Sequence, residues 1–590
     1  MKDFFKYVGA TMLGMLLFSV VMMFFGIISL VGMIASSEQT KSLKDNSVLV
    51  INLSGSMAER AETSFMDQLT GNSDKNIGLD QTISAIKKAK DNDKIKGIYI
   101  EAGAFTPDSY ASMQAVRKAL ADFKKSKKWI IAYADTYTQG AYYVSSVADK
   151  VYLNPQGMID WHGIGAQPMY LKDVMEKFGV KMQIAKVGAY KSATETFTED
   201  KMSDANREQV TAYVNGLWNI VTKDVAESRK VSVKTLNDCA DNMIMFSDQK
   251  DYLKFKLIDG LLYTDQVKKE VKKKLGLEAD ESINVLTLAD MKNVKGAKQE
   301  GEEIAVYYAY GDIVDGVVSN PLNQGHTIDA QKVCRDLEKL TEDKDVKAVV
   351  LRINSGGGSA YASEQIWHYV MELKKKKPVV VSMGGMAASG GYYISAPANW
   401  IVAEPSTLTG SIGIFGMFPD MSGLLTQKLG VKFDEVKTNK NSTFGTQARP
   451  MTAEEMSFLE AYVGRGYTLF RQRVADGRKM TTEQVEKIAQ GHVWLGADAI
   501  KIKLVDELGG LDQAVAKAAK LAKVKEWHTS AYPAPADWTE SLLNDATGTS
   551  YLDDKMRVAM GEYYEPFSLL KNIGSMDAIQ ARMPFYMNIR

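Results

Sequence analysis

The sequence predicts an α/β protein of two tandem domains behind an N-terminal membrane helix. Three observations carry this: one long uncharged run at the start, a chain that repeats its own plan, and apolar strand-like runs alternating with amphipathic helical stripes. No residue from Val8 to Ser37 is charged, and Leu, Met, Phe, Val and Ile dominate the run. A bilayer core needs roughly 20 helical residues, so the run is long enough to span; a cleaved signal peptide has an apolar core of only about 7 to 15. An uncleaved anchor over residues 1–46 is expected. Lys2 and Lys6 precede the run, with Asp3 as a weak counterweight, which favours a cytoplasmic N-terminus and an exported bulk, although Lys41 and Lys44 on the far side weaken that vote.

The repeat decides the rest. The strand-like run Val48 to Leu53, ending at Gly55, is echoed by Ile304 to Tyr310, ending at Gly311. "KGIYIEAG" (Lys96 to Gly103) matches "KAVVLRIN" (Lys347 to Asn354), each suited to a strand buried on both faces. A helical stripe follows in both copies, Met113, Val116, Leu120 and Phe123 in the first and Ile366, Val370 and Leu373 in the second. Both helices end in lysine runs, Lys124 to Lys128 and Lys374 to Lys377, which read as solvated cations suited to a helix C-terminus. Then come "GAYYVSSVAD" and "GGYYISAPAN", "KFGVKM" and "KLGVKF", "FKLIDG" and "IKLVDE", always in the same order. Strands alternating with helices imply parallel sheets. The first copy is expected over residues 47–290, an exposed polar linker over 291–301, the second copy over 302–525, and an extension without a counterpart over 526–590. The aromatic and Met content of that extension argues for a packed tail.

Composition narrows the function. The 72 basic and 72 acidic residues cancel, which argues against a nucleic acid partner. Cys239 and Cys334 have no metal or redox spacing, and Cys334 falls on the helical stripe of Val333, Leu337 and Leu340 as a small apolar residue. No metal or cofactor is expected.

The copies differ where chemistry is expected. In the second, a strand opens into "NSGGGS" (Asn354 to Ser359), whose glycines free the backbone to turn N–H groups toward a developing oxyanion; the first has "GAFTPD" there. The next strand ends in "MAASGG" (Met386 to Gly391), placing Ser389 at the mouth of a helix, where unpaired N–H groups favour an anion. A small residue needed for packing among glycines is the plain alternative for Ser389. Aligning Tyr142 and Tyr143 with Tyr392 and Tyr393 puts Gln139, which is no nucleophile, in the serine's place.

A serine hydroxyl must pass its proton to a base. His162, His326, His368, His492 and His528 form no recognisable set with an acid, His492 in "GHVWLG" being the best of them. Lys191 in "VGAYKSATETF" is the stronger candidate, and its counterpart, counted from Gly179 and Gly430, is Ser442. So the copy with the serine lacks the lysine, and the copy with the lysine lacks the serine. For a lysine to work near neutral pH its ammonium must be destabilised by roughly 4 kcal/mol, which burial against apolar groups supplies.

"VGAYKSATETF", "RINSGGGS", "MAASGGYYIS", "LTGSIGIFG" and "GHVWLGADAIKIKLVDELGG", in this order behind an anchor, resemble the long, duplicated form of the bacterial signal peptide peptidases of the SppA family. The resemblance covers about residues 1 to 525. It implies a Clp-protease- and crotonase-like fold and a Ser/Lys dyad of Ser389 as nucleophile and Lys191 as general base. It further implies that Ser411 is hydrogen-bonded to the lysine, and that the oxyanion donors are the N–H groups of Gly357 or Gly358 and of Gly390. It also implies a homotetramer on the outer face of the cytoplasmic membrane that degrades signal peptides left after export. Two positions depart from the family pattern: Gly356 stands where proline is usual, and His492 where arginine is common. The competing expectations are acyl-CoA chemistry on the same fold and a non-catalytic membrane scaffold.

Overall fold

The computed structural model describes residues 43–60, 76–294, 300–316, 326–534 and 579–583, together with parts of 6–26 and positions 296 and 560. Two largely parallel sheets are each built from one copy of the repeat. In the first, the order is Asn76–Gly78, Ser47–Ala58, Ile95–Thr106, Trp129–Tyr137, Lys150–Ile159 and Gly260–Leu261, with Asn284–Leu286 also paired to Ser47–Leu49. In the second, Trp527–Tyr532, Glu302–Tyr310, Val346–Ser355 and Val379–Ala388 follow one another, and Val379–Ala388 then pairs with both Trp400–Ala403 and Leu408–Gly410. The registers correspond: Leu49 lies opposite Ile98 as Ala305 lies opposite Val349. These strands are apolar on both faces because helices cover both sides.

The predicted stripes fill the cores. Met113, Val116, Leu120 and Phe123 are buried on helix Tyr110–Lys124, and Ile366, Val370 and Leu373 on helix Ala360–Lys376. Cys334 is buried on helix Ala330–Glu342, and neither cysteine is in a disulfide.

Several expectations change. The lysine runs are not simply solvated: Lys128 Nζ donates to the carbonyls of Ala89, Lys90 and Asn92, closing the C-terminus of helix Leu79–Asp91. Lys377 Nζ does the same for helix Ala330–Glu342 through the Leu340 and Asp343 carbonyls. Unpaired carbonyls at a helix end attract such cations. The stretch read as an exposed linker is partly packed, with Met291 and Val294 buried against the first core and Glu302 already in a strand. The segment read as an extension from 526 begins with a strand, Trp527–Tyr532, paired in parallel with Glu302–Tyr307. It occupies the sheet position that Asn284–Leu286 holds in the first copy.

A third sheet joins the halves. Its order is Thr327–Asp329, Asp312–Val314, Gly357–Ser359, Ile579–Arg582, Phe415–Asp420 and Lys181–Lys186, so a strand of the first copy closes a sheet made otherwise by the second copy and the chain's last described segment. Across the halves Arg352 and Glu59, both buried, pair through Nε to Oε1 at 2.5 Å and Nη2 to Oε2 at 3.2 Å. No described helix is long and apolar enough to cross a membrane. Much of the expected anchor lies outside the described residues; those described over 9–19 are helical, with Met12, Leu13, Leu16 and Phe18 exposed.

Candidate active site

Strand Val379–Ala388 runs into Ser389, whose φ of 54° and ψ of −114° turn the chain sharply into helix Gly390–Ser395. A non-glycine residue at positive φ is strained, and the surroundings hold it there. The Ser389 N–H is fixed by the Gly410 carbonyl at 2.8 Å. The two glycines that follow are sterically required. A methyl at Gly390 would approach Ser363 Oγ to 2.6 Å, and one at Gly391 would approach the Ser355 carbonyl oxygen to 2.6 Å.

Lys191 reaches this serine from the other copy. Strand Lys181–Lys186 pairs antiparallel with Phe415–Asp420, Ala185 opposite Gly416, and delivers the chain to the second sheet. The following turn lies backbone against backbone on residues 490–491: Tyr190 N–H donates to the Gln490 carbonyl at 3.0 Å, and Gly188 sits at φ +101° where a methyl would meet Gln490 at 2.4 Å. Gly491, at φ +84°, leaves room for the Lys191 backbone, which a methyl there would approach to 2.6 Å.

The lysine is fully buried, 0% exposed. Its Nζ lies 2.7 Å from Ser389 Oγ, 2.9 Å from Ser411 Oγ and 3.2 Å from the Ser411 carbonyl oxygen. All three partners are uncharged, and no described ion pair includes Lys191. Burial therefore drives its pKa well below the ordinary lysine value, with no carboxylate to restore the ammonium. A neutral amine has two N–H donors and one lone pair. It can donate to the two Ser411 oxygens while accepting the Ser389 proton, so the three contacts match the neutral form.

The turn carrying Lys191 rests on a buried polar cluster that sequence reasoning did not single out. Ser192 Oγ donates to Asn206 Oδ1, whose Nδ2 donates to Glu195 Oε2, while Gln209 Nε2 donates to both Ser192 Oγ and the Tyr190 carbonyl. Gln209 Oε1 then accepts the Val493 N–H of the second copy at 3.2 Å. The signal available in sequence was slight: two small residues, Ser192 and Ala193, after the lysine. Gly413, where a methyl would stand 3.3 Å from Lys191 Cδ, was visible only as part of "TGSIGIFG".

The expected oxyanion glycines surround one point. A methyl at Gly357 would lie 2.0 Å from the Ala581 carbonyl oxygen and 2.6 Å from the Gly390 nitrogen. The Gly357 N–H itself donates to Ser355 Oγ at 3.1 Å, and Gly358 stands opposite Ala581 in the ladder. The carbonyl at this point thus belongs to the chain's own strand Ile579–Arg582, which lies between Gly357–Ser359 and Phe415–Gly416 as a peptide would in strand addition. The sequence marked only the extension that contains it, as a packed tail, and not its place in the cleft.

The remaining candidates sit elsewhere. Tyr142 and Tyr392 make the same hydrogen bond, to the Leu257 and Leu504 carbonyls, so the copies superpose with Gln139 at the serine's position. The Gln139 amide is used up structurally, donating to the Gly163 carbonyl and accepting the Gly163 N–H, both at 3.0 Å. Ser442 is exposed in a turn with Asn439. The His492 ring lies between Tyr190 and Trp494 with Nδ1 buried and unpartnered; its backbone carbonyl, not its ring, serves the site by accepting the Ser411 N–H at 2.7 Å.

Comparison with known proteins agrees with this duplicated plan. The model of peptidase family S49 matches the chain twice, over residues 122–278 and 371–525, and the Clp protease model matches residues 318–401. Protease 4 of Salmonella typhi is 38% identical over 540 residues, spanning 89% of this chain and 85% of that protein. The chloroplastic serine protease SPPA of Arabidopsis thaliana is 29% identical over 82% of this chain and 70% of its own length. A protein of Enterococcus faecium called a signal peptide peptidase SppA is 34% identical over 38% of this chain and 63% of its own. With a family model matched in both copies, the chain belongs to peptidase family S49 and is a serine protease.

Proposed function

We propose that this protease cuts peptides with Ser389 as nucleophile and Lys191 as general base. The observation that carries the reading is the 2.7 Å contact between Ser389 Oγ and a buried lysine Nζ that has only uncharged partners. The neutral amine takes the Ser389 proton as Oγ attacks the peptide carbonyl carbon, and Ser411 holds the amine on the serine through its side chain and carbonyl. The oxyanion is assigned to the N–H groups of Gly358 and Gly390, since the Gly357 N–H already serves Ser355. The lysine ammonium then returns its proton to the leaving nitrogen, and the same amine activates the water that frees the acyl group. The test is labelling of Ser389 by a fluorophosphonate together with peptide hydrolysis by Ser389→Ala and Lys191→Ala. Both variants are expected to lose hydrolysis by at least 100-fold, the usual contribution of a positioned base; activity surviving Lys191→Ala places the base elsewhere.

The substrates are signal peptides remaining after export, and the chain is held by residues 8–37 in the cytoplasmic membrane with its bulk outside. The uncharged run and the name borne by the Enterococcus relative support this reading. Self-association has its own support. Strand Lys181–Lys186 of the first copy pairs with Phe415–Asp420 of the second, yet the equivalents, 432–437 of the second copy and 164–169 of the first, contribute no strand to any of the three sheets. Phe433 and Val436 are exposed there. Pairing 432–437 of one chain with 164–169 of the next repeats the internal contact head to tail, the kind of contact that builds a homotetrameric ring when its rotation closes.

A further inference from the structure

The strand Ile579–Arg582 fixes a register on the cleft, and that register assigns a residue to substrate selection. Arg582 stands opposite Gly357, Ala581 opposite Gly358 and Gln580 opposite Ser359, while Met583 N–H donates to the Gly356 carbonyl at 2.6 Å. Ala581 is the residue whose carbonyl lies against Gly357 and against Gly390, the residue that follows Ser389. The bond presented to the serine is therefore Ala581–Arg582. Side chains alternate along a strand. Ile579, Ala581 and Met583 share one side, Ala581 being fully buried and Met583 belonging to the apolar cluster that includes Ala388, Leu408 and Val493. Gln580 and Arg582 take the other.

On that other side Arg582 Nη2 lies 2.7 Å from Asp312 Oδ2. Asp312 is well placed to select. It opens strand Asp312–Val314, whose Ile313 pairs with Gly358, so its backbone is part of the sheet that holds the oxyanion glycine. Its side chain is 45% exposed while the arginine's is only 17%, which describes a fixed acid at the rim receiving a cation that enters the cleft.

From this geometry we propose that Asp312 is a specificity-determining residue that selects a basic residue immediately after the cleaved bond, for peptides carrying a small residue immediately before it. The inference rests on Ser389 being the nucleophile, which fixes where the cut falls. A partly exposed ion pair discriminates modestly, so Arg over Gln is expected at about two- to five-fold in kcat/KM and Arg over Glu at about ten-fold or more.

The experiment uses the full chain and internally quenched peptides built on Ile-Gln-Ala-Arg-Met, with Arg, Lys, Gln or Glu at the fourth position and mass spectrometry of the products. Because the chain's own strand competes equally with every peptide, the kcat/KM ratios are the readout. Arg and Lys are expected to lead, with cleavage after Ala. Asp312→Asn, nearly isosteric at a half-exposed position, is expected to bring the Arg/Gln ratio to about one, and Asp312→Lys to invert Arg/Glu. Equal rates for Arg and Glu with the unmodified chain, ratios unchanged by Asp312→Asn, or cleavage elsewhere than after Ala would each overturn the inference if Ser389 still reacts with a fluorophosphonate. A chain that cleaves these peptides without any reaction at Ser389 overturns the reading of the nucleophile, and this assignment with it.

Discussion

Replacing Lys191 with Met is expected to abolish hydrolysis and, at low pH, to offset part of its own structural damage by removing a buried ammonium. The amine is fully buried with three uncharged partners, so its folded pKa lies well below the unfolded value near 10.4. Below the folded pKa both states bind the proton, and the native state bears the whole cost of the buried charge. Between the folded and unfolded pKa values the native state has released the proton and the unfolded state has not, so stability rises by about 1.4 kcal/mol per pH unit. Above both values the cost is gone. Met removes this dependence but leaves the Ser389 and Ser411 oxygens without their partner, a pH-independent loss of about 1–3 kcal/mol. The stability difference between the two proteins, Met minus Lys, should therefore fall as pH rises, even if Met is the less stable at every pH. Tm measured by scanning fluorimetry across pH for both proteins gives that difference, and other titrating groups cancel. In the unmodified chain kcat/KM should rise over the pH range where this slope begins, since both report the same proton. A difference that does not vary with pH, or a rise in activity far from its onset, would refute the account of the lysine.

Other consequences follow from the same geometry. Ser411→Ala removes one oriented hydrogen bond to the amine, about 1–1.5 kcal/mol, so kcat should drop roughly five- to ten-fold with little change in KM, measured by steady-state hydrolysis. Gly491→Ala puts a methyl 2.6 Å from the Lys191 backbone at a positive φ; hydrolysis should fall by about 100-fold through displacement of the amine, while fluorescence reports a folded chain. Arg352→Met strands the buried Glu59 carboxylate, and the loss, about 3–5 kcal/mol by denaturant titration, should shrink when Glu59→Gln is added. Phe433→Asp together with Val436→Asp should give a smaller particle by light scattering; an unchanged mass would remove the strand-pairing account of assembly.

How much of this was open to reading from sequence depends on how local each signal was. The doubled α/β plan was, because each strand–helix unit writes its own periodicity and the two copies repeat it. Ser389 and Lys191 could be picked out because each is missing from the other copy; no periodicity records the crossing of Lys181–Lys186 into the second sheet that sets them 2.7 Å apart. Gly413 and Gly491 stood in the sequence only inside "LTGSIGIFG" and "GHVWLG", since what they make room for is 222 and 300 positions away in sequence. Lys128 and Lys377 were read as solvated because the carbonyls they close belong to a preceding helix rather than their own. Ile579–Arg582 carries only a short alternation inside an extension marked as a packed tail, as a strand that adds to an existing edge is recognised by that edge and needs little pattern beyond backbone and side chains that fit.

Duplication bears directly on the lysine base proposed above. A lysine kept neutral by burial must be placed where no carboxylate follows it and where its turn is held without using its amine. In this chain those demands fall on different copies. The first supplies the turn and its cluster of Ser192, Glu195, Asn206 and Gln209, in which the Glu195 carboxylate accepts from Ser203 and Asn206. The second supplies the serine, Ser411 and the glycine cleft. Strand Lys181–Lys186 of the first copy carries the lysine to the second, where the partners of its Nζ are the Ser389 hydroxyl and the Ser411 hydroxyl and carbonyl. Gln139, bonded to Gly163, stands in the first copy where the second has the serine, and Ser442 stands in the second where the first has the lysine, which is the division of roles the proposed dyad needs.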